Sequence, residues 1–236
     1  MELQTLLLGF GKSLLLVVAT VLPVLNPLAI APVFVGLTEG LDHRTRGALA
    51  RQIGVSTTIL LVASVLVGSY VLRFFGISLP VVRAAGGLVV ASIAWHMLNA
   101  QQATNPDKED MARAFSRDEV RTRAFYPLTF PLTCGPGAIS VAIAVGAGLN
   151  AKHVVLTAAN FAGGLVGMVV VAAIVAVTYR YADFLVQRLG RVGTIVLLRL
   201  MAFLLLCIGI DMMWLGLADS VSGLAIVQHL LSTAAK

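Results

Sequence analysis

The chain has 236 residues, of which 58% are apolar and only 12% charged, with a mean hydropathy of +0.94. A soluble domain carries about 25% charged residues, so this composition excludes a soluble globular class and points to an integral membrane protein. The net charge of +6 raises the question of where the positive residues fall relative to the membrane, and nucleic acid binding is a poor reading of it.

About 20 apolar residues cross a bilayer core, and the charge-free runs supply six such stretches. In chain order they are 8–37, 52–74, 79–99, 124–149, 153–179 and 194–218. The start, Met1-Glu2-Leu3-Gln4, lacks a basic region and the first run is too long for a signal core, so the first segment is expected to be a retained helix.

The first run is interrupted by Pro23-Val24-Leu25-Asn26-Pro27, with Pro32 beyond it. Proline disfavours helix in the residue before it, while Asn is a good N-cap and proline suits the first helical position. Asn26-Pro27 therefore reads as a fresh helix start, whose free N–H groups and positive dipole end face the break. Further along, Arg83 opens the third run. Snorkelling to the headgroups is preferred to a substrate role for it and for Arg199.

Residues 100–123 form the longest loop, with five acidic and five basic residues, and read as a solvated connector. The fourth run carries a second break, Pro127-Leu128-Thr129-Phe130-Pro131-Leu132-Thr133-Cys134-Gly135-Pro136-Gly137. Pro136 would start a half-helix, Gly135 and Gly137 would allow close approach or unusual dihedrals, and Thr129, Thr133 and Ser140 supply hydroxyls. One proline in a membrane helix is ordinarily a kink. Two clusters at equivalent positions favour a substrate site. In the fifth run Asn160, Gly163, Gly164 and Gly167 read as a helix-packing face. Asp211 is the one carboxylate deep in a span, and two readings of it stand: proton or cation coupling, or an outer-interface anchor beside Trp214.

With the N-terminus outside, the inner loops hold Arg44, Arg46, Arg51, Lys108, Arg113, Arg117, Arg121, Arg123, Arg180, Arg188 and Arg191. The outer side holds only Lys12, Arg73, Lys152 and Lys236. Both termini are therefore expected outside. The two halves also align by position, Pro27 with Pro136 and Arg83 with Arg199. A three-span unit repeated once must enter from opposite sides. The expected fold is thus all-α, with six transmembrane helices as two inverted-topology repeats and helices 1 and 4 broken at mid-membrane. The divisions are 1–99, 100–123, 124–218 and an outer tail, 219–236. The two cysteines and four histidines form no disulfide or metal pattern. No cofactor motif or enzyme constellation is present, so neither a cofactor nor catalysis is expected.

Together, Asn26-Pro27 with Ala31-Pro32-Val33-Phe34, Arg83-Ala84-Ala85-Gly86-Gly87, and Pro131 through Ile139 resemble the MarC family over essentially the whole chain. The resemblance implies a bacterial inner-membrane protein of the inverted kind, with small neutral amino acid transport as the family's best-supported activity. Many relatives have glycine after the first proline, where this chain has Leu28. The expected function is secondary transport of a small neutral amino acid coupled to H⁺ or Na⁺. Its substrate site would comprise Asn26, Pro27, Thr129, Thr133, Gly135, Pro136, Gly137 and Ser140, with Asp211 a candidate for coupling. The alternatives are an exporter of another solute, as in the lysine-exporter-like group, and a non-transporting membrane scaffold.

Overall fold

The computed structural model describes residues 2–38, 40–99, 124–149, 151 and 153–234. The expected connector at 100–123 lies outside them. Helices α1 (Glu2–Leu25), α2 (Pro27–Leu37), α3 (His43–Phe74) and α4 (Leu79–Asn99) make up the first half. The second half comprises the π-helical α5 (Ala124–Thr133), then α6 (Pro136–Gly148), α7 (Val154–Arg180) and α8 (Ala182–Ala234). Among the described residues five helices are long and apolar enough to cross a bilayer, or six if α5 and α6, bent by 68°, make one span.

Three boundaries differ from the sequence expectation, each for a local reason. The first run divides unevenly. Helix α1 is 24 residues long, about 36 Å at 1.5 Å per residue, against a bilayer core of about 30 Å, and the 11 residues of α2 follow the break. Pro23 sits inside α1 without ending it, and the chain breaks only at Asn26. Helix α3 starts at His43 rather than near residue 52 because Asp42 caps it. Its carboxylate accepts hydrogen bonds from the Thr45 N–H at 3.3 Å and the Thr45 hydroxyl at 2.6 Å. Helix α8 begins at Ala182, is interrupted at Gly190 (φ 63, ψ −178), and continues through the expected tail to Ala234. That backbone conformation is essentially restricted to glycine, so the interruption is written into the residue type.

The main core gathers Val17, Val21 and Leu25 of α1, Phe34 of α2, Ile53 and Leu61 of α3, Val141 of α6, and Met168, Val171 and Tyr179 of α7. Glycines set the closest approaches. A Cβ on Gly163 would stand 2.2 Å from the Phe10 carbonyl oxygen, which pins α1 to α7. The Gly-x-x-x-Gly face read in the sequence does pack helices. Asn160 joins it, donating from Nδ2 to the Leu149 carbonyl at 3.1 Å. On the other flank, a Cβ on Gly146 would lie 2.9 Å from the Val65 carbonyl oxygen, fixing α6 against α3.

Helices α4 and α8 form a separate layer. They run antiparallel in backbone contact: a Cβ on Gly87 would meet the Met213 nitrogen at 2.4 Å, and one on Gly209 the Ala91 nitrogen at 2.5 Å. The start of α4 is joined to α8 by Arg83 and Asp219, 2.7 Å apart. The pair has its own small cluster, Val90, Ala94 and Leu205, against which Val24 of α1 packs. Overpacking a tight contact typically costs about 1–3 kcal/mol. Gly209→Val should therefore lower the thermal unfolding temperature of the detergent-purified protein by several degrees. Gly11→Ala, whose new Cβ would meet nothing within 4 Å, should leave it near the parent value.

Candidate functional site

Both breaks arise from proline acting on its neighbours. Asn26 precedes Pro27 and adopts the left-handed conformation (φ 45, ψ 55). Asn and Gly tolerate that region; a β-branched residue does not. The Asn26 carbonyl accepts from the Ala29 and Ile30 N–H groups at 3.1 and 3.2 Å. Its side chain makes no capping bond, unlike the N-cap expected from the sequence, because the left-handed turn replaces the extended geometry a cap needs. Asn26 is 7% exposed, and its amide is left to face the space beside it.

The second break is built by two pre-proline residues. Tyr126 and Phe130 precede Pro127 and Pro131 and are both extended (φ −121, ψ 122 and φ −120, ψ 126) inside α5. With two N–H groups missing, pairing widens. The Cys134 N–H reaches the Thr129 carbonyl at 2.8 Å, the Thr129 hydroxyl the Ala124 carbonyl at 2.8 Å, and the Thr133 hydroxyl the Leu128 carbonyl at 2.7 Å. The Phe130–Pro131 peptide is cis. Pro136 then opens α6, with Gly135 at the cap position (φ −78, ψ 178). That is ordinary extended backbone, so Gly135 is not needed for an unusual dihedral. The requirement is room: a Cβ there would lie 3.0 Å from the Pro131 carbonyl oxygen, and one on Gly137 would lie 2.6 Å from Val90 Cγ2.

These two breaks open into one cavity of about 790 Å³. Asn26 and Leu25 line it at the first break, and Thr133, Gly135, Pro136 and Gly137 at the second. Ile30 and Val33 of α2, Val90, Ile93 and Met97 of α4, and Leu205 of α8 complete the wall, which reaches Gly36 near the end of α2. Among the described residues no charged side chain lines it. Its polar groups are the Asn26 amide and the backbone groups that helix ends leave free. In α6 the Ile139 N–H bonds back to the Gly135 carbonyl at 3.2 Å, so Gly137 and Ala138 hold first-turn N–H groups with no intrahelical acceptor. Helix α2, started by Pro27, also leaves the Leu28 N–H without an intrahelical acceptor, but Leu28 is not part of the cavity wall.

The remaining residues of the expected site sit apart from the wall or spend their polar atoms elsewhere. Pro27 is buried behind Asn26 and Thr129 is fully buried in α5. Ser140 bonds the Pro136 carbonyl at 3.0 Å and packs on Gly86. Thr133 lines the cavity, but its hydroxyl lies 3.0 Å from the Tyr179 hydroxyl and its single proton goes to Leu128. Tyr179 is therefore the donor in that pair. Asp211 is exposed on α8, outside the cavity wall. No group of His, Cys, Asp and Glu suited to a metal ion occurs among the described residues.

Two features beside the cavity escaped the sequence reading. The Tyr179 ring stacks on Phe34, centroids 4.8 Å apart and planes 14° from parallel, coupling α2 to α7. Arg46, which in the sequence is one more inner-side charge, is 8% exposed. It ion-pairs with Asp183 and donates from Nη2 to the Thr38 carbonyl at 2.8 Å. That ties the end of α2 and the start of α3 to the start of α8. Tyr179→Phe keeps the stack and loses one buried hydrogen bond, for a loss of about 1 kcal/mol. Asp183→Ala strands a buried guanidinium, for about 3–5 kcal/mol. Thermal unfolding of the two variants should rank them in that order.

A family model described as "MarC family integral membrane protein" matches residues 11–221. The UPF0056 membrane protein MJ1677 of Methanocaldococcus jannaschii is 30% identical over 220 residues, 92% of this chain and 98% of its own. The UPF0056 membrane protein YvbG of Bacillus subtilis is 28% identical over 198 residues, 81% of this chain and 88% of its own. The UPF0056 inner membrane protein MarC of Escherichia coli K12 is 28% identical over 221 residues, 90% and 97% respectively. No solved structure matches the chain.

Proposed function

The chain belongs to the MarC family of integral membrane proteins, and from that premise we propose that it is a secondary transporter of small neutral amino acids. One observation carries this reading. Two helix breaks, 109 residues apart between Pro27 and Pro136, open into a single cavity. Broken backbone is tolerated at membrane depth where it lines a cavity or is buried in protein. Paired broken helices are the recurrent construction of transporter sites.

The chemistry of the cavity follows from its two kinds of free backbone group. First-turn N–H groups at the start of α6, with the positive dipole ends of α2 and α6, suit a carboxylate. Carbonyls released at the end of α1 and in α5 suit an ammonium group or a coupling cation. The Asn26 amide can serve either. A zwitterion of zero net charge thus finds both ends matched without a charged side chain. Coupling to H⁺ or Na⁺ and the absence of catalysis belong to the same proposal. Asp211, outside the wall, would act in coupling only from a distance.

The packing pattern supports two inverted repeats. Exchanging the halves exchanges α1 with the α5–α6 span, α3 with α7, and α4 with α8. The α1–α7 contact at Gly163 then maps onto the contact of α6 with α3 at Gly146, and the α4–α8 contact maps onto itself. Under this reading both termini face outward, in the inner membrane of a bacterium, and the cavity reaches toward the inner side, where Arg44 and Arg46 follow α2.

Purified protein in proteoliposomes should take up labelled alanine or glycine, driven by a proton or sodium gradient. Asn26→Leu and Gly135→Val should reduce the initial rate at least about tenfold while inserting and purifying normally. Parent-level rates in both variants would count against a site at the breaks.

A further inference from the structure

Resting on the transporter reading, the apolar wall that continues from the breaks carries a statement about substrate side chains. The cavity is polarised. Its free hydrogen-bonding groups lie at the breaks, where Asn26 is 7% exposed and uncapped. Ile30 and Val33 stand one turn apart on α2; Val90, Ile93 and Met97 on α4 follow at spacings of three and four, one face of a helix. Thr133 adds no free hydroxyl proton, since Leu128 takes it. A substrate fixed by its carboxylate and ammonium at the breaks must direct its side chain along this aliphatic trough. The volume, about 790 Å³, lies within the range of drug-sized ligand pockets, about 300–1,000 Å³, and glycine would leave most of the wall wet.

We propose that Ile93 and Met97 of α4, facing Ile30 and Val33 of α2, form a side-chain subsite that extends the substrate range to branched and thioether amino acids. Valine, leucine and methionine then bind more tightly than glycine. Each methylene removed from water adds about fourfold in affinity, so leucine gains at least about tenfold over glycine. Glutamine, close to methionine in length, gains nothing, because its amide finds no partner along the trough.

The test is competition for labelled alanine on the detergent-purified full chain, with glycine, valine, leucine, methionine and glutamine as competitors. The proposal requires leucine and methionine to compete at least about tenfold better than glycine and glutamine. In Ile93→Trp, which fills the trough, the leucine-to-alanine affinity ratio should fall about tenfold. In Met97→Gln the methionine-to-glutamine ratio should fall likewise. Ile93 is 44% exposed, so its replacement does not hollow the core. Equal competition by glycine and leucine, or unchanged ratios in both variants, overturns the subsite and leaves transport of small amino acids standing. Binding of no amino acid at all overturns the transporter reading and the subsite with it.

Discussion

Peptide groups have no water to bond in hydrocarbon, so a helix that stops inside a bilayer strands its terminal N–H and C=O groups at high cost. The architecture around Asn26 and Gly135 answers that constraint. Prolines begin α2 and α6, where their missing N–H removes one stranded donor at each start. Wide i to i−5 pairing in α5 absorbs others, including both threonine hydroxyls. Of what is left over, Asn26 and the first turn of α6 line a common space. The cavity and the breaks are therefore one feature seen from two sides.

Glycine decides how the rest of the chain encloses that space. Contacts at Gly163 and Gly146 hold α1, α3, α6 and α7 as one core, and contacts at Gly87 and Gly209 hold α4 to α8. The cavity lies where the two layers meet, so its polar floor comes from the broken helices and much of its apolar wall from α4. Backbone packing within each layer is closer than between them. The exceptions are small: Gly86 on Ser140, and Gly137 on Val90.

The spans and breaks were legible because they depend on composition and on proline, which act locally. Tyr126 and Phe130 are extended for a reason stated by the next residue. The Gly-x-x-x-Gly face on α7 was legible for the same reason. Less was legible wherever a polar atom had a choice of partner. Thr129, Thr133 and Ser140 look like ligands in the sequence, but each hydroxyl reaches a backbone carbonyl four or five residues back. Arg46 looks like a topology charge and is buried against Asp183, a residue 137 positions away that no local pattern connects to it. Helix α1 hid its full length because its apolar run is read from residue 8, whereas the helix already begins at Glu2. Asp211 left two readings open in the sequence, coupling or an interface anchor, because the run does not state its helical phase, which exposes it on α8.

Accessibility at the breaks tests the central claim most directly. In a background with Cys134→Ala and Cys207→Ala, Ile30→Cys and Leu132→Cys place one thiol beside each break. Both thiols should react with a membrane-impermeant methanethiosulfonate applied to the same side of sealed vesicles, and alanine should slow both reactions together. If neither reacts with that reagent while both react with a lipid-soluble maleimide, the breaks face hydrocarbon and the account is wrong.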